Sequence, residues 1–390
     1  MANVVKLFLL IAYWYGRLIG AINYEIDLKT GRTRTTKKAT IYAACIQISL
    51  LVLTIHYWSN PMPLSLLWIR PNSLGEIVLK ILILLRTLCV IFSLLSRWSN
   101  RRLFMRLFRS THRLLRQHPE TIQFIRFGII GKSLSIIAVE FFNLTFGLLV
   151  GRRVLSFSQA LNFCAMSAFS SISNVVIHQH YLAIAKIRGR YHLLNDELKA
   201  VIAEVQSLIP RRRGVFVTKC CYLADQIDEI ARTQSDIQEL TRHISKVYEI
   251  QTFFVAITTY LNIIGGLYTM FCMGKANNIT NNAPPIILAL AAPCIILFYV
   301  DVVLNNWSVF RLLDAHKETV GLLQQRTLFQ HGLDPRLELT FESFHLNLAR
   351  NPFKIRYCSV LEWNRFASFS IYNSLMTNAI LLIQYDMQNY

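Results

Sequence analysis

The hydrophobic positions of this chain fall into long runs, not into the short alternations of a half-buried sheet. Runs near the length of about twenty apolar residues that crosses a bilayer occur at about 40–58, 76–98, 122–150, 155–183, 252–273, 284–304 and 366–390. They predict an all-α membrane protein with seven transmembrane helices. A further run, Leu7 to Gly16, is too short to cross. Lys6 and Arg17 bracket it, which suits a helix lying along the membrane surface. An additional membrane-inserted helix over 7–23 is the other reading, and no clear small-residue cleavage site marks the run as a signal peptide.

The polar stretches between the runs are themselves patterned. Residues 96–118 are densely basic and amphipathic, as in a membrane-surface helix. The fourth span continues as a helix through Lys186 to Val205, until Arg211, Arg212, Arg213 and Gly214 break it. From Tyr222 to Glu249 the isoleucines at 230, 237 and 244 recur every seven residues, with Leu223, Ile227, Leu240 and Val247 nearby. Such a seam predicts helix packing outside the membrane. The sixth span contains Pro293, where a kink is expected, and runs on to about residue 330. An amphipathic helix over 337–350 then precedes Asn351, Pro352 and the final span. The chain thus divides into an N-terminal segment (1–39), spans one to four (40–183), helical extensions (184–251), spans five and six (252–304), further extension helices (305–361) and the last span (362–390).

Composition adds the orientation. Of 390 residues 53% are hydrophobic and 16% charged, and the formal charge is +19; mean hydropathy is +0.37. These values exclude an ordinary soluble protein. Most Lys and Arg lie in the tail, in 97–126, in 186–246 and in 311–365, while the alternate segments hold only Arg70, Arg152, Arg153 and Lys275. By the positive-inside rule the N-terminus is cytosolic and the C-terminus extracellular. The basic charge therefore reflects topology, and no nucleic acid partner is expected. Asn278, in an Asn-Ile-Thr triplet between spans five and six, becomes a glycosylation acceptor on the outer side. The eight cysteines show neither metal-ligand spacing nor a disulfide framework. No cofactor and no metal are implied.

The last helix carries the most chemistry. At 100° per residue Asn373, Thr377, Gln384 and Gln388 share one narrow arc, flanked by Ile380 and Leu381. Two readings fit this stripe. Its amides and hydroxyls can hydrogen-bond to neighbouring helices, or they can line a water path with a hydrophobic constriction. Thr377-Asn378, five apolar residues, then Gln384-Tyr385 resembles the C-terminal signature of insect gustatory receptors: Thr-Tyr, five hydrophobic residues, Gln-Phe. Asn378 and Tyr385 depart from it. Span number and orientation agree with that family and oppose the G-protein-coupled class. The resemblance implies a plasma-membrane, tastant-gated, non-selective cation channel (Na, K, Ca) of sensory neurons, with no enzymatic role. It also implies a homo- or heterotetramer with other gustatory receptor subunits. In such a tetramer the seventh spans line the pore and the cytosolic extensions form an anchor. Thr377, Gln384 and Gln388 then face the ion path, and Ile380 and Leu381 gate it. Sugar-type members are longer, so a bitter or aversive tastant is expected.

Two intramembrane charges, Arg86 and Glu140, stand at depths compatible with an ion pair, or else Glu140 joins a ligand pocket. The resemblance puts tastants in the outward half of the first six spans. By depth and chemistry Phe141, Phe146, Asn162, Tyr260, Asn262 and Tyr268 line such a pocket, or form aromatic and polar core packing. An odorant-type receptor channel, an auxiliary subunit that does not conduct alone and a polytopic transporter are the alternative functions. No inverted repeat supports the last.

Overall fold

The computed structural model describes residues 2–27, 30–60, 73–151, 156–208, 213–280, 285–325, 334–357 and 361–389. Among these residues, ten helices carry the fold: α1 (Ala2–Leu18), α2 (Lys37–Ser59), α3 (Ser73–Ser99), α4 (Arg101–Gln117), α5 (Thr121–Gly151), α6 (Phe157–Gln206), α7 (Arg213–Thr280), α8 (Pro285–Gln324), α9 (Pro335–Arg350) and α10 (Arg365–Asn389). Seven of them, α2, α3, α5, α6, α7, α8 and α10, are long and apolar enough to cross a membrane. The two antiparallel strand pairs, β1 (Glu25–Ile26) with β2 (Thr33–Arg34) and β3 (Arg356–Tyr357) with β4 (Leu361–Glu362), are only two residues long per strand.

Side-chain caps fix several helix starts. Thr36, Ser156, Asp334 and Asn364 accept from backbone N–H groups in the first turns of α2, α6, α9 and α10. Pro335 stands at the first turn of α9, where its missing N–H costs nothing. The helix α8 passes through Pro293 without ending.

The largest core lies beyond the apolar segments. The extension of α6 (Ala183 to Val205), the first half of α7 (Cys220 to Tyr248), the second half of α8 (Val309 to Leu323) and α9 (Leu337 to Leu348) bury one continuous cluster. Ile230, Ile237 and Ile244 of the seven-residue seam are all inside it, with Leu223 and Ile227 fully buried. This basal bundle is an ordinary globular core built by helices that continue straight out of the spans. Phe104, Met105 and Leu107 of the amphipathic α4 insert into it, leaving the arginines at 102, 106, 109, 113 and 116 exposed.

The N-terminal segment closes the same region. Val5 packs with Ile125, Ile129 and Leu182, so α1 lies against α5 and α6. The hairpin after α1 turns through Gly31 at φ +71°, where the His112 ring of α4 occupies the space a Cβ would need. Any other residue there meets both strain and a clash. Burial, with like charge from Lys186 and Arg116, holds the His112 imidazole below its usual value.

Candidate functional site

The final helix α10 begins at the basal bundle and leaves it along α7. Trp363, just before it, is buried, and its backbone N–H donates to the Ile355 carbonyl at 2.9 Å. Arg365 reaches Asp314 of α8 at 2.5 Å. Farther along, Leu375 and Ala379 pack with Ile263 and Ile264 of α7, with Tyr260, Leu267, Phe298 and Leu382 around them.

Two sets of polar side chains divide the surface of α10. One set holds the helix in place. Asn306 donates to the Tyr372 hydroxyl at 2.8 Å, and Tyr260 shares a hydrogen bond with Ser374 at 2.9 Å. Asn378 donates to the Tyr260 hydroxyl at 2.7 Å, and the Tyr268 hydroxyl donates to Asp386 at 2.9 Å. Asn378, at the position of the motif tyrosine, is thus tied to a phenol of α7.

The other set is the stripe singled out from the sequence. Asn373, Thr377, Ile380, Leu381, Gln384 and Gln388 are all exposed. Thr377 only bonds back to the Asn373 carbonyl. Among the described residues, the side chains of Asn373, Gln384 and Gln388 make no hydrogen bond within the chain. Ile380 and Leu381, each 55% exposed, project from the same face, while Leu375 and Ala379 on the α7 side are 2% and 3% exposed. Hydrogen bonding within the chain therefore accounts for the first set and not for the stripe. Tyr385 is exposed beside it.

The intramembrane charges are arranged differently from the sequence expectation. Arg86 and Glu140 form no ion pair among the described residues. Glu140 accepts instead from Ser171 at 2.9 Å and from Asn174 at 2.8 Å, both on α6. The reason is packing: α5 lies against α6 and α8, whereas α3 lies chiefly against α7 and α6. The buried ion pair is Lys132 of α5 with Asp301 of α8, at 2.5 Å, joined by the Ser135 hydroxyl at 3.2 Å. Lys132 is fully buried and its ammonium also lies over the Tyr181 ring. Both residues fall inside apolar runs of the sequence, so a count of charges in the runs was the signal that finds them.

Of the residues expected to form an outward pocket, only Tyr260 reaches the wall of a cavity of about 480 Å³. That cavity lies between α6, α7, α8 and α10, in the half of the spans nearer the basal bundle. Phe141 is 63% exposed on the flank of α5. Asn162 is buried and donates to the Asn60 carbonyl at 2.5 Å. Tyr268 is committed to α10, and Asn262 is half-buried on α7. The side chains of Phe146 and Asn278 lie outside the described residues.

The profile of the family described as 7tm Chemosensory receptor matches residues 9–389. Candidate gustatory receptor 59d of Drosophila melanogaster is 44% identical over 390 residues, covering 100% of both chains. Candidate gustatory receptor 36a of the same organism is 33% identical over 395 aligned positions, again covering 100% of both. Among solved structures, the insect olfactory receptor OR5 from Machilis hrabei in complex with eugenol superposes with a TM-score of 0.66 at 12% identity. The match covers 98% of this chain and 99% of that one. It shows a shared fold. With seven spanning helices, the C-terminal motif and relatives matched end to end, this chain belongs to the insect seven-transmembrane chemosensory receptors, in the gustatory receptor family.

Proposed function

We propose that the protein is a tastant-gated, non-selective cation channel subunit whose last helix lines the ion path. The observation that carries this reading is the outward-facing stripe of α10. Polar side chains in a spanning helix cost several kcal/mol each unless they meet water or a partner. Asn373, Gln384 and Gln388 meet neither α7 nor α8. Copies of α10 around a common axis satisfy them with water, and Ile380 and Leu381 then form the narrow apolar ring that dewets when closed. This arrangement takes four copies, homomeric or with other gustatory receptor subunits, and passes Na, K and Ca ions. The N-terminus is cytosolic and the C-terminus extracellular, as the basic segments require, so the basal bundle is the cytosolic anchor. The setting is the plasma membrane of sensory neurons. Shorter length than the sugar-type members favours a bitter or aversive tastant.

Whole-cell recording from cells expressing the full chain, alone and with other gustatory receptor subunits, tests the assignment. Ile380→Ala with Leu381→Ala raises resting cation conductance by about tenfold, the change that about 1.4 kcal/mol in the closed–open equilibrium produces. Resting and evoked conductance unchanged from wild type, with surface delivery shown by a tag after Tyr390 on intact cells, would overturn the gate.

A further inference from the structure

The cavity between α6, α7, α8 and α10 touches the last helix directly. Ile371, Tyr372 and Leu375 of α10 form one wall, and Val302, Asn305 and Asn306 of α8 form another. Val176 and His180 of α6 and Ala256 and Tyr260 of α7 complete it. Its volume of about 480 Å³ falls within the range of about 300–1,000 Å³ usual for small-molecule sites.

The chemistry of the wall selects the occupant. Most of the lining is aliphatic or aromatic. The one carboxylate, Asp301, is already neutralised by Lys132, which is buried behind it. A cation entering the cavity finds no spare negative charge, and an anion finds no spare positive one. Asn305 donates its amide N–H to the Asp301 carbonyl at 3.0 Å, but its Oδ1 is buried and receives no hydrogen bond. A buried acceptor left unmatched is costly; Oδ1 has no exposed surface, so a ligand hydroxyl reaches it as the Asn305 side chain turns toward the cavity, and there gains the bond.

We propose that this cavity is a binding site for a neutral, mostly apolar small molecule carrying one hydroxyl donor, such as an alkylphenol, with the donor on Asn305 Oδ1. It rests on the receptor reading only in taking a small molecule as occupant. The site differs from the expected outward pocket in position and in consequence. A ligand here packs on Leu375 and Tyr372 themselves, next to the Asn306–Tyr372 bond that ties α10 to α8. Occupancy therefore acts on the last helix without an intervening element.

The test is photolabelling of the purified full-length protein with a 4-alkylphenol bearing a diazirine in its chain, mapped by peptide mass spectrometry. Adducts are expected on residues 302–306 and 371–375, and excess 4-propylphenol removes them. Asn305→Leu lowers labelling about fivefold, the equivalent of one hydrogen bond. Ala256→Trp, which fills the space, abolishes it in protein that elutes as wild type does. Adducts confined to other surfaces in the wild-type protein overturn the proposal, whatever the variants do. So does labelling of these residues by a diazirine phospholipid and not by the phenol, which would make the cavity a lipid seat. Conductance is recorded separately: labelled cavity without current leaves the site and removes the channel, and current without cavity labelling does the reverse.

Discussion

The basal bundle and the last helix are built on opposite principles. In the bundle, Leu194, Leu198, Leu223, Ile227 and Leu312 are fully buried, and four helices share one apolar core. Along α10 only Ser368, Leu375, Ala379 and Asp386 are buried, and its neighbour through most of its length is α7. The first region is complete within a single chain. The second presents Ile380, Leu381, Met387 and a row of amides to whatever lies beyond the chain. Stability therefore resides in the bundle, while the exposed face of α10 is free to serve another purpose.

Four substitutions break or sharpen this contrast, in decreasing order of effect. Leu223→Asp places a carboxylate at a fully buried position of the bundle and costs at least about 4 kcal/mol. Detergent-solubilised protein should lose its monodisperse elution peak, and a wild-type profile would mean the bundle is not the stabilising core. Lys132→Met leaves Asp301 buried without its counter-ion and costs about 3–5 kcal/mol. The double variant Lys132→Met with Asp301→Leu should recover most of the lost melting temperature. Failure to recover would show that the pair does more than compensate its own burial. Tyr268→Phe deletes one bond to Asp386 and costs about 1.5 kcal/mol. If it melts as wild type does, the Tyr268–Asp386 bond adds nothing to what holds α10. Ile380→Ala, on the exposed face of α10, stands at the end of this scale. Its exposed side chain predicts a change within about 0.5 kcal/mol in stability, so an effect on conductance with no effect on melting separates the two regions.

Much of this was legible in the chain. The starts and ends of the apolar runs at 40–58 and 366–390 agree with α2 and α10 to within a few residues. The isoleucine seam of α7 is buried as its period requires. Other features were not legible. The sequence placed Glu140 opposite Arg86 by depth alone, and depth does not say which helix lies alongside. Asn162 read as a pocket residue because it is polar within a span, yet it satisfies the Asn60 carbonyl at the end of α2. The cavity wall draws on residues from 176 to 375, and no local pattern encodes that meeting.

What the sequence by itself determined is the number of spans, their length and the amphipathic seams. Each depends only on the spacing of apolar residues within about twenty positions, and a bilayer or a helix partner reads that spacing directly. The tertiary structure decided which polar groups are satisfied. Asn378 and Gln384 are both amides on one helix, and the sequence treats them alike. One reaches Tyr260 and the other faces outward because α7 covers one side of α10. That choice is made by contacts between segments more than a hundred residues apart, where period and composition carry no information.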